Sequence, residues 1–194
     1  MLCSDPEGGA IVGYARTARI AAVNPPSEPA EVIRARRMDY YRHIAEDPRT
    51  AVAVVEDTDY PHAIGAFRGE INTTVHKGLG LSGALTNGVM RDLGDLLEGF
   101  PVVAGSIGPS HGFVHVADIA VPVTIFGLRV CDGDLVHADR HRALVIPTEV
   151  IVDLAGAIKT LLASESLILG PARADGFDFA EFEKAWLAFE HART

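Results

Sequence analysis

Ala51-Val52-Ala53-Val54-Val55-Glu56-Asp57 is an unbroken apolar run closed by two acids. A strand with one wet face alternates apolar and polar residues, so a run without alternation reads as a strand covered on both faces, in the interior of a layered α/β fold. On its N-terminal side, Pro29 to Glu46 sets Val32, Ile33, Met38, Tyr41 and Ile44 near helical spacing among charges, with Asp47-Pro48 as the stop. Before that helix, Ala10 to Val23 is rich in small and β-branched residues and reads as one strand or two short ones, ended by Asn24-Pro25-Pro26. On the C-terminal side, a helix over Gly69 to Lys77 ending at Gly78, a strand over Leu79 to Leu85 and a helix over Arg91 to Leu97 give a βαβ-like rhythm. Short strands follow at Val102–Ala104, Gly112–Val116, Val121–Ile125, Leu128–Val130, Leu135–Ala138 and Ala143–Ile146, with Asp132-Gly133-Asp134 as a tight turn. Thr148 to Leu162 and Phe179 to His191 read as two final helices, the second with a packing stripe of Phe182, Trp186, Leu187 and Phe189. The expectation is one mixed α/β domain over residues 1–194, a sheet layer or two covered by helices.

Composition narrows the function. With 48% hydrophobic and 22% charged residues the chain has ordinary globular usage, and 194 residues suffice for one sizeable core. A net charge of −9 argues against a nucleic-acid partner, which needs a positive face. Cys3 and Cys131 stand far apart without metal-ligand spacing, so neither a disulfide framework nor a thiolate zinc site is expected. No apolar run approaches a membrane span, and the first residues lack the pattern of a signal peptide; a reducing cytoplasm is the expected setting.

The chemistry concentrates in Thr86-Asn87-Gly88-Val89-Met90-Arg91-Asp92-Leu93-Gly94-Asp95, preceded by Gly69-Glu70 with twenty residues between Glu70 and Arg91. Gly88 permits a sharp turn, after which residues 89 to 92 are expected to open a helix whose free amides and dipole favour an anion. Arg91 can grip a carboxylate with two parallel hydrogen bonds. Asp92 is a hard oxygen ligand suited to Mg²⁺ or Mn²⁺, which polarises a carbonyl and stabilises an enolate. Taken alone, an Arg-Asp pair is more often a solvated ion pair, and Glu70 alone a first-turn acid. The joint pattern shifts that balance.

Gly69-Glu70, twenty residues, Arg91-Asp92 and Asp95, together with Gly99-Phe100-Pro101-Val102-Val103-Ala104-Gly105 and the run Val130 to Asp139, resemble the RraA-like family, which includes the 4-hydroxy-4-methyl-2-oxoglutarate aldolases. The likeness runs from about Gly13 to Pro147. It implies a compact αββα-type fold of the swivelling β/β/α kind, assembled as a homotrimer or a dimer of trimers with the site at a subunit boundary. It implies a metal-dependent pyruvate aldolase needing Mg²⁺ or Mn²⁺, acting on a small 2-oxo acid, with accompanying oxaloacetate decarboxylation. By this resemblance Arg91 binds the pyruvyl carboxylate or its keto oxygen, Asp92 holds the metal, Glu70 opens the acid-x20-Arg-Asp motif and Asp95 trails it. Gly69 and the amides of Glu70, Ile71 and Asn72 cradle the substrate carboxylate. Some members are instead protein-binding inhibitors of a ribonuclease of the E type, and the acidic total suits a basic partner surface.

The chain departs from the pattern in places. Asn87-Gly88 stands where many members have Asp-Gly, and Arg68 where many have a bulky residue before Gly-Glu, so a different leaving group is expected. Almost nothing precedes the strand at Ile11–Ala15, where the family usually carries a helical segment. His111 and His115 are expected on one face of an extended segment in a structural role, and His137 and His141 at strand ends.

Overall fold

The computed structural model describes residues 1–46 and 49–193, so the expected stop at Asp47-Pro48 lies outside the described residues. Two compact units emerge, Met1–Pro147 and Thr148–Thr194. The first contains β1 (Leu2–Cys3), β2 (Ile11–Ala21), α1 (Ala30–Ala45), β3 (Ala51–Asp57), β4 (Ala66–Arg68), α2 (Glu70–Gly78), β5 (Leu81–Thr86) and β6 (Val89–Met90). It continues with β7 (Val102–Ala104), β8 (Ser106–Ile107), β9 (His115–Ile119), β10 (Val123–Ile125), β11 (Leu128–Val130), β12 (Leu135–Ala138) and β13 (Ala143–Ile146).

The main sheet runs β1-β7-β5-β3-β2-β12-β13. Its centre, β2, β3, β5 and β7, is parallel, while β1, β12 and β13 join antiparallel. At 11 residues β2 is long enough to change partners along one edge, pairing with β12 over Ile11–Tyr14 and with β9 over Ala18–Ala21. The apolar run behaves as its composition requires. Ala51, Ala53 and Val55 of β3 enter one core with Tyr40 and Ile44 of α1 and Phe100. Val52 and Val54 enter the opposite core with Val123, Ile125 and Val130 of the β10–β11 hairpin. Each fully buried valine contributes about 1.5–3 kcal/mol. Helices thus cover one face and a β-layer the other, the expected β/β/α arrangement.

A second sheet escaped the sequence reading. Strands β4, β6 and β8, of two or three residues each, form a parallel sheet of their own. Its presence overturns the helix expected over Arg91–Leu97. Val89 and Met90 extend to pair with Ala66 and Arg68 on one side and Ser106 and Ile107 on the other, and Asp92 then takes a left-handed conformation at φ 58°, which ends regular structure. The strand expected at Gly112–Val116 begins instead at His115, because Gly112, at φ 52°, makes a turn and Phe113 N–H donates to the Ala22 carbonyl.

The second unit is helical. A short 3₁₀ turn over Thr148–Val150 leads into α3 (Ile151–Ala172), which runs ten residues past the expected end at Leu162, since no glycine or proline stands between Leu162 and Gly170. α4 (Phe179–His191) starts at Asp178, whose side chain accepts from Glu181 N–H. Phe182, Trp186 and Phe189 stack in sequence with centroids 5.7 Å apart, but Leu187 is 66% exposed and stands outside the stripe. Among the described residues no helix is long and apolar enough to cross a membrane.

Candidate functional site

The acid-x20-Arg-Asp spacing has a structural cause. β4 and β6 are parallel neighbours, so the residues that follow them, Gly69-Glu70 and Arg91-Asp92, leave the same carboxyl edge of the small sheet side by side. Arg91 N–H donates to the Arg68 carbonyl at 2.8 Å, continuing the ladder by one residue. The intervening twenty residues are what α2 and β5 need to return the chain to that edge. Ligands of open parallel sheets gather at such edges.

There the side chains interlock. Arg91 Nε stands 3.1 Å from Asp92 Oδ2, and the same oxygen accepts from Glu70 N–H at 3.2 Å. Arg91 Nη1 donates to the Ala66 carbonyl at 2.6 Å. The arginine and aspartate side chains are 25% and 35% exposed, so the pair is neither lost in solvent nor sealed. Gly69 makes the packing possible: a Cβ there would stand 2.5 Å from Asp92 Oδ2 and 3.0 Å from the guanidinium carbon. Glu70 opens α2 with its side chain exposed, and its amide is taken by Asp92. The first-turn amides of Ile71 and Asn72 have no partner within the helix, and no side chain caps them. Asp95 serves the turn through its own amide, bonded to the Asp92 carbonyl at 2.9 Å.

A cavity of about 410 Å³ adjoins the pair, with Arg91, Ile71 and Asn72 in its wall. Two arginines and two histidines line it, Arg37, Arg91, His111 and His115, and among the described residues no acid does. His111 and His115 therefore meet at one cavity although only His115 lies on a strand; in each, Nδ1 donates 2.8 Å to a backbone carbonyl, of Gly112 and Phe113 respectively. His137 lies on β12 and His141 on the β12–β13 turn beside Asp139, and neither lines this cavity. Sequence reasoning missed Arg37, Tyr41 and Phe67. Ile33, Arg37 and Tyr41 recur every fourth residue of α1, a one-face signal that the charged setting obscured.

The two departures noted in the sequence act away from the cavity wall. Arg68 is fully buried, with Nη1 bonded to Asn72 Oδ1 at 2.6 Å and to His76 Nε2 at 2.9 Å. His76 Nδ1 donates to the Asn72 carbonyl, and burial, with the Arg68 guanidinium beside it, holds the imidazole well below its usual range, hence neutral. Among the described residues no carboxylate pairs with Arg68, so the cation stands behind Asn72 uncompensated. Asn87 in turn locks β5 to β3: its Oδ1 accepts from Asp57 N–H at 2.7 Å and its Nδ2 donates to the Asp57 carbonyl at 3.2 Å.

Asp57 itself is nearly inaccessible, its Oδ2 has no partner, and burial pushes its carboxyl up to about 6, the Asp59 amide opposing this. The unfolded chain releases that proton near 3.8 and the folded chain near 6, so ionised Asp57 opposes folding fully above about 6 and not at all below 3.8. Asp57→Asn, which mimics the protonated form, is expected to raise unfolding free energy by about 2 kcal/mol at pH 8 and to leave it unchanged at pH 3.5. Urea denaturation at the two pH values measures this.

Among the described residues no group of three or more His, Cys, Asp or Glu gathers as a metal cage. The residues nevertheless fit Mg²⁺ or Mn²⁺, which commonly takes one protein carboxylate and completes its shell with water and substrate oxygens. Asp92 Oδ1 is the available oxygen, Oδ2 being held by Arg91 and Glu70.

Fold and site together define a layered α/β protein with a glycine-cradled Arg-Asp pair at a parallel-sheet edge. Comparison identifies it further. The model of the RraA-like family (Aldolase/RraA) matches residues 2–145, and the chain belongs to that family. The family contains both aldolase or decarboxylase enzymes and ribonuclease inhibitors. An uncharacterized protein from Pseudomonas syringae pv. tomato aligns with a TM-score of 0.70 at 19% identity, over 96% of this chain and 79% of its own. RraAS2 from Streptomyces coelicolor, an unusual member of the RNase ES inhibitor RraA family, aligns at 0.61 and 22% identity over 80% and 76%. The RNA-processing inhibitor RraA from Thermus thermophilis aligns at 0.54 and 20% over 72% and 77%. At these identities the likenesses show the fold. Among curated proteins none matches the chain.

Proposed function

We propose that the chain is a divalent-metal-dependent lyase that cleaves 4-substituted 2-oxo acids to pyruvate and also decarboxylates oxaloacetate. The observation that carries this reading is the interlocked Arg91, Asp92 and Glu70 beside a cavity with no acid among the described residues that line it. Asp92 would hold Mg²⁺ or Mn²⁺, which would supply Lewis acidity to the keto group. Arg91 binds the substrate carboxylate with the N–H groups not committed to Asp92 and Ala66, and the amides of Ile71 and Asn72 add to that grip. Glu70, held at the pair through its amide, accepts the proton of the C4 hydroxyl through water. Arg91 then stays on the pyruvate enolate, whose charge is greater than that of the bound ketone, so its hold strengthens as the bond breaks.

The test is pyruvate release from oxaloacetate and from 4-hydroxy-4-methyl-2-oxoglutarate with and without Mg²⁺. Release from both that depends on the metal is expected, and metal-independent or absent release from both overturns the reading. A second reading, a protein-binding regulator of a ribonuclease of the E type, draws on the inhibitors among the structural neighbours and on the net charge of −9. Binding of that endonuclease by a protein that releases no pyruvate favours it. A homotrimer or dimer of trimers completing the site belongs to either proposal.

A further inference from the structure

We infer that the lyase's substrate is a 2-oxo acid whose 4-substituent is aromatic, seated in the cavity beside Arg91. The inference rests on the lyase reading and names its substrate class. The cavity, about 410 Å³, is far larger than a pyruvyl group needs and falls in the range of sites for drug-sized ligands. Its walls are mainly apolar, and Tyr41, Phe67 and Phe113 supply three aromatic faces. Phe113 is 55% exposed and Ile71 is 73% exposed, so two large apolar side chains of the cavity wall are open to solvent. Lone exposed apolars are ordinary on a surface, but here they converge on one concavity next to an arginine that grips carboxylates.

Charge selects the other half of the ligand. In a protein of net charge −9, the cavity gathers Arg37, Arg91, His111 and His115, and the buried Arg68 lies behind Asn72 without a counter-charge. Among the described residues Asp92 pairs with Arg91, and Glu28 pairs with Arg36 and interacts with His115. Such a pocket attracts an anion and holds an apolar body. A second carboxylate, as in a short dicarboxylic 2-oxo acid, would leave the aromatic faces uncovered. In the reaction the C3–C4 bond breaks, the C4 hydroxyl loses its proton and C4 becomes the carbonyl of an aromatic aldehyde. The electron pair passes to C3 as the enolate, and a proton returns to C3 to give pyruvate.

The probe is 2-oxo-4-phenylbutanoate, which lacks the C4 hydroxyl and so binds without cleavage. In titration calorimetry with Mg²⁺ it is expected to bind at least about tenfold more tightly than pyruvate or 2-oxoglutarate, a preference of the size a filled apolar pocket gives. Phe113→Ala is expected to erase most of that preference; Ile71→Ser is the second variant, exposed enough to spare the fold. Equal or tighter binding of 2-oxoglutarate, or a phenyl preference untouched by both variants, overturns the inference. Failure of the lyase reading looks different: the phenyl acid binds preferentially and no 2-oxo acid is cleaved.

Discussion

Asp92→Asn is expected to lower Mg²⁺-dependent pyruvate release by about 10³-fold, the loss typical of removing a charge that acts on the transition state. Asparagine is the informative replacement because, like aspartate, it tolerates the left-handed conformation that residue 92 adopts at φ 58°. It keeps the size of the side chain and an oxygen to accept from Arg91 Nε and Glu70 N–H, and removes only the negative charge. Two consequences follow. On the lyase reading a bound metal would lose its one anionic protein ligand, and Arg91 keeps a hydrogen-bond acceptor but loses the charge of the ion pair. Because the pair is partly exposed, stability should change by less than about 1 kcal/mol. Lactate dehydrogenase-coupled pyruvate detection at varied Mg²⁺, alongside thermal melting, measures both; full activity in the variant would end the metal-lyase assignment.

Gly69→Ala should cut kcat/KM by about 10²-fold while the protein still folds, a penalty in the range set by misplaced catalytic groups. Gly69 has φ −148° and ψ −174°, extended backbone open to alanine, so the conformation itself carries no cost. The three atoms nearest the added methyl all belong to the ion pair, Asp92 Oδ2 at 2.5 Å and Arg91 Nε and Cζ at 3.0 Å. Asp92 Oδ2, well inside 3.0 Å, must shift, and Arg91 Nε, bonded to it, is drawn along, which displaces the pair from the geometry proposed to hold the 2-oxo acid. Steady-state kinetics with oxaloacetate, with circular dichroism as the control for folding, distinguishes this from global damage. An unchanged kcat/KM would mean that the geometry of the pair is irrelevant to turnover.

Long elements were legible because their packing leaves a periodic trace. The run at 51–57 is β3 to the residue, and its alternate residues enter opposite cores. The helix expected over Pro29–Glu46 is α1 at Ala30–Ala45, and β11, β12 and β13 fall where the sequence set them. The errors fall at the small parallel sheet, at the Gly112 turn and at the end of α3. No period can be read from Val89-Met90, so the small sheet went unseen and a helix was expected after it.

By itself the sequence determined the layered α/β architecture and the pairing of Glu70 with Arg91-Asp92, because burial on two faces and a fixed motif spacing are written in consecutive residues. Only the tertiary structure decided that Gly69-Glu70 and Arg91-Asp92 leave one edge of a three-stranded sheet, and that α1 and the 111–115 turn bring Arg37, Tyr41, Phe113 and two histidines to the same cavity. Those meetings join residues up to 78 positions apart, from Arg37 to His115, through strands too short to announce themselves. Such contacts depend on where whole elements pack, which no local pattern encodes.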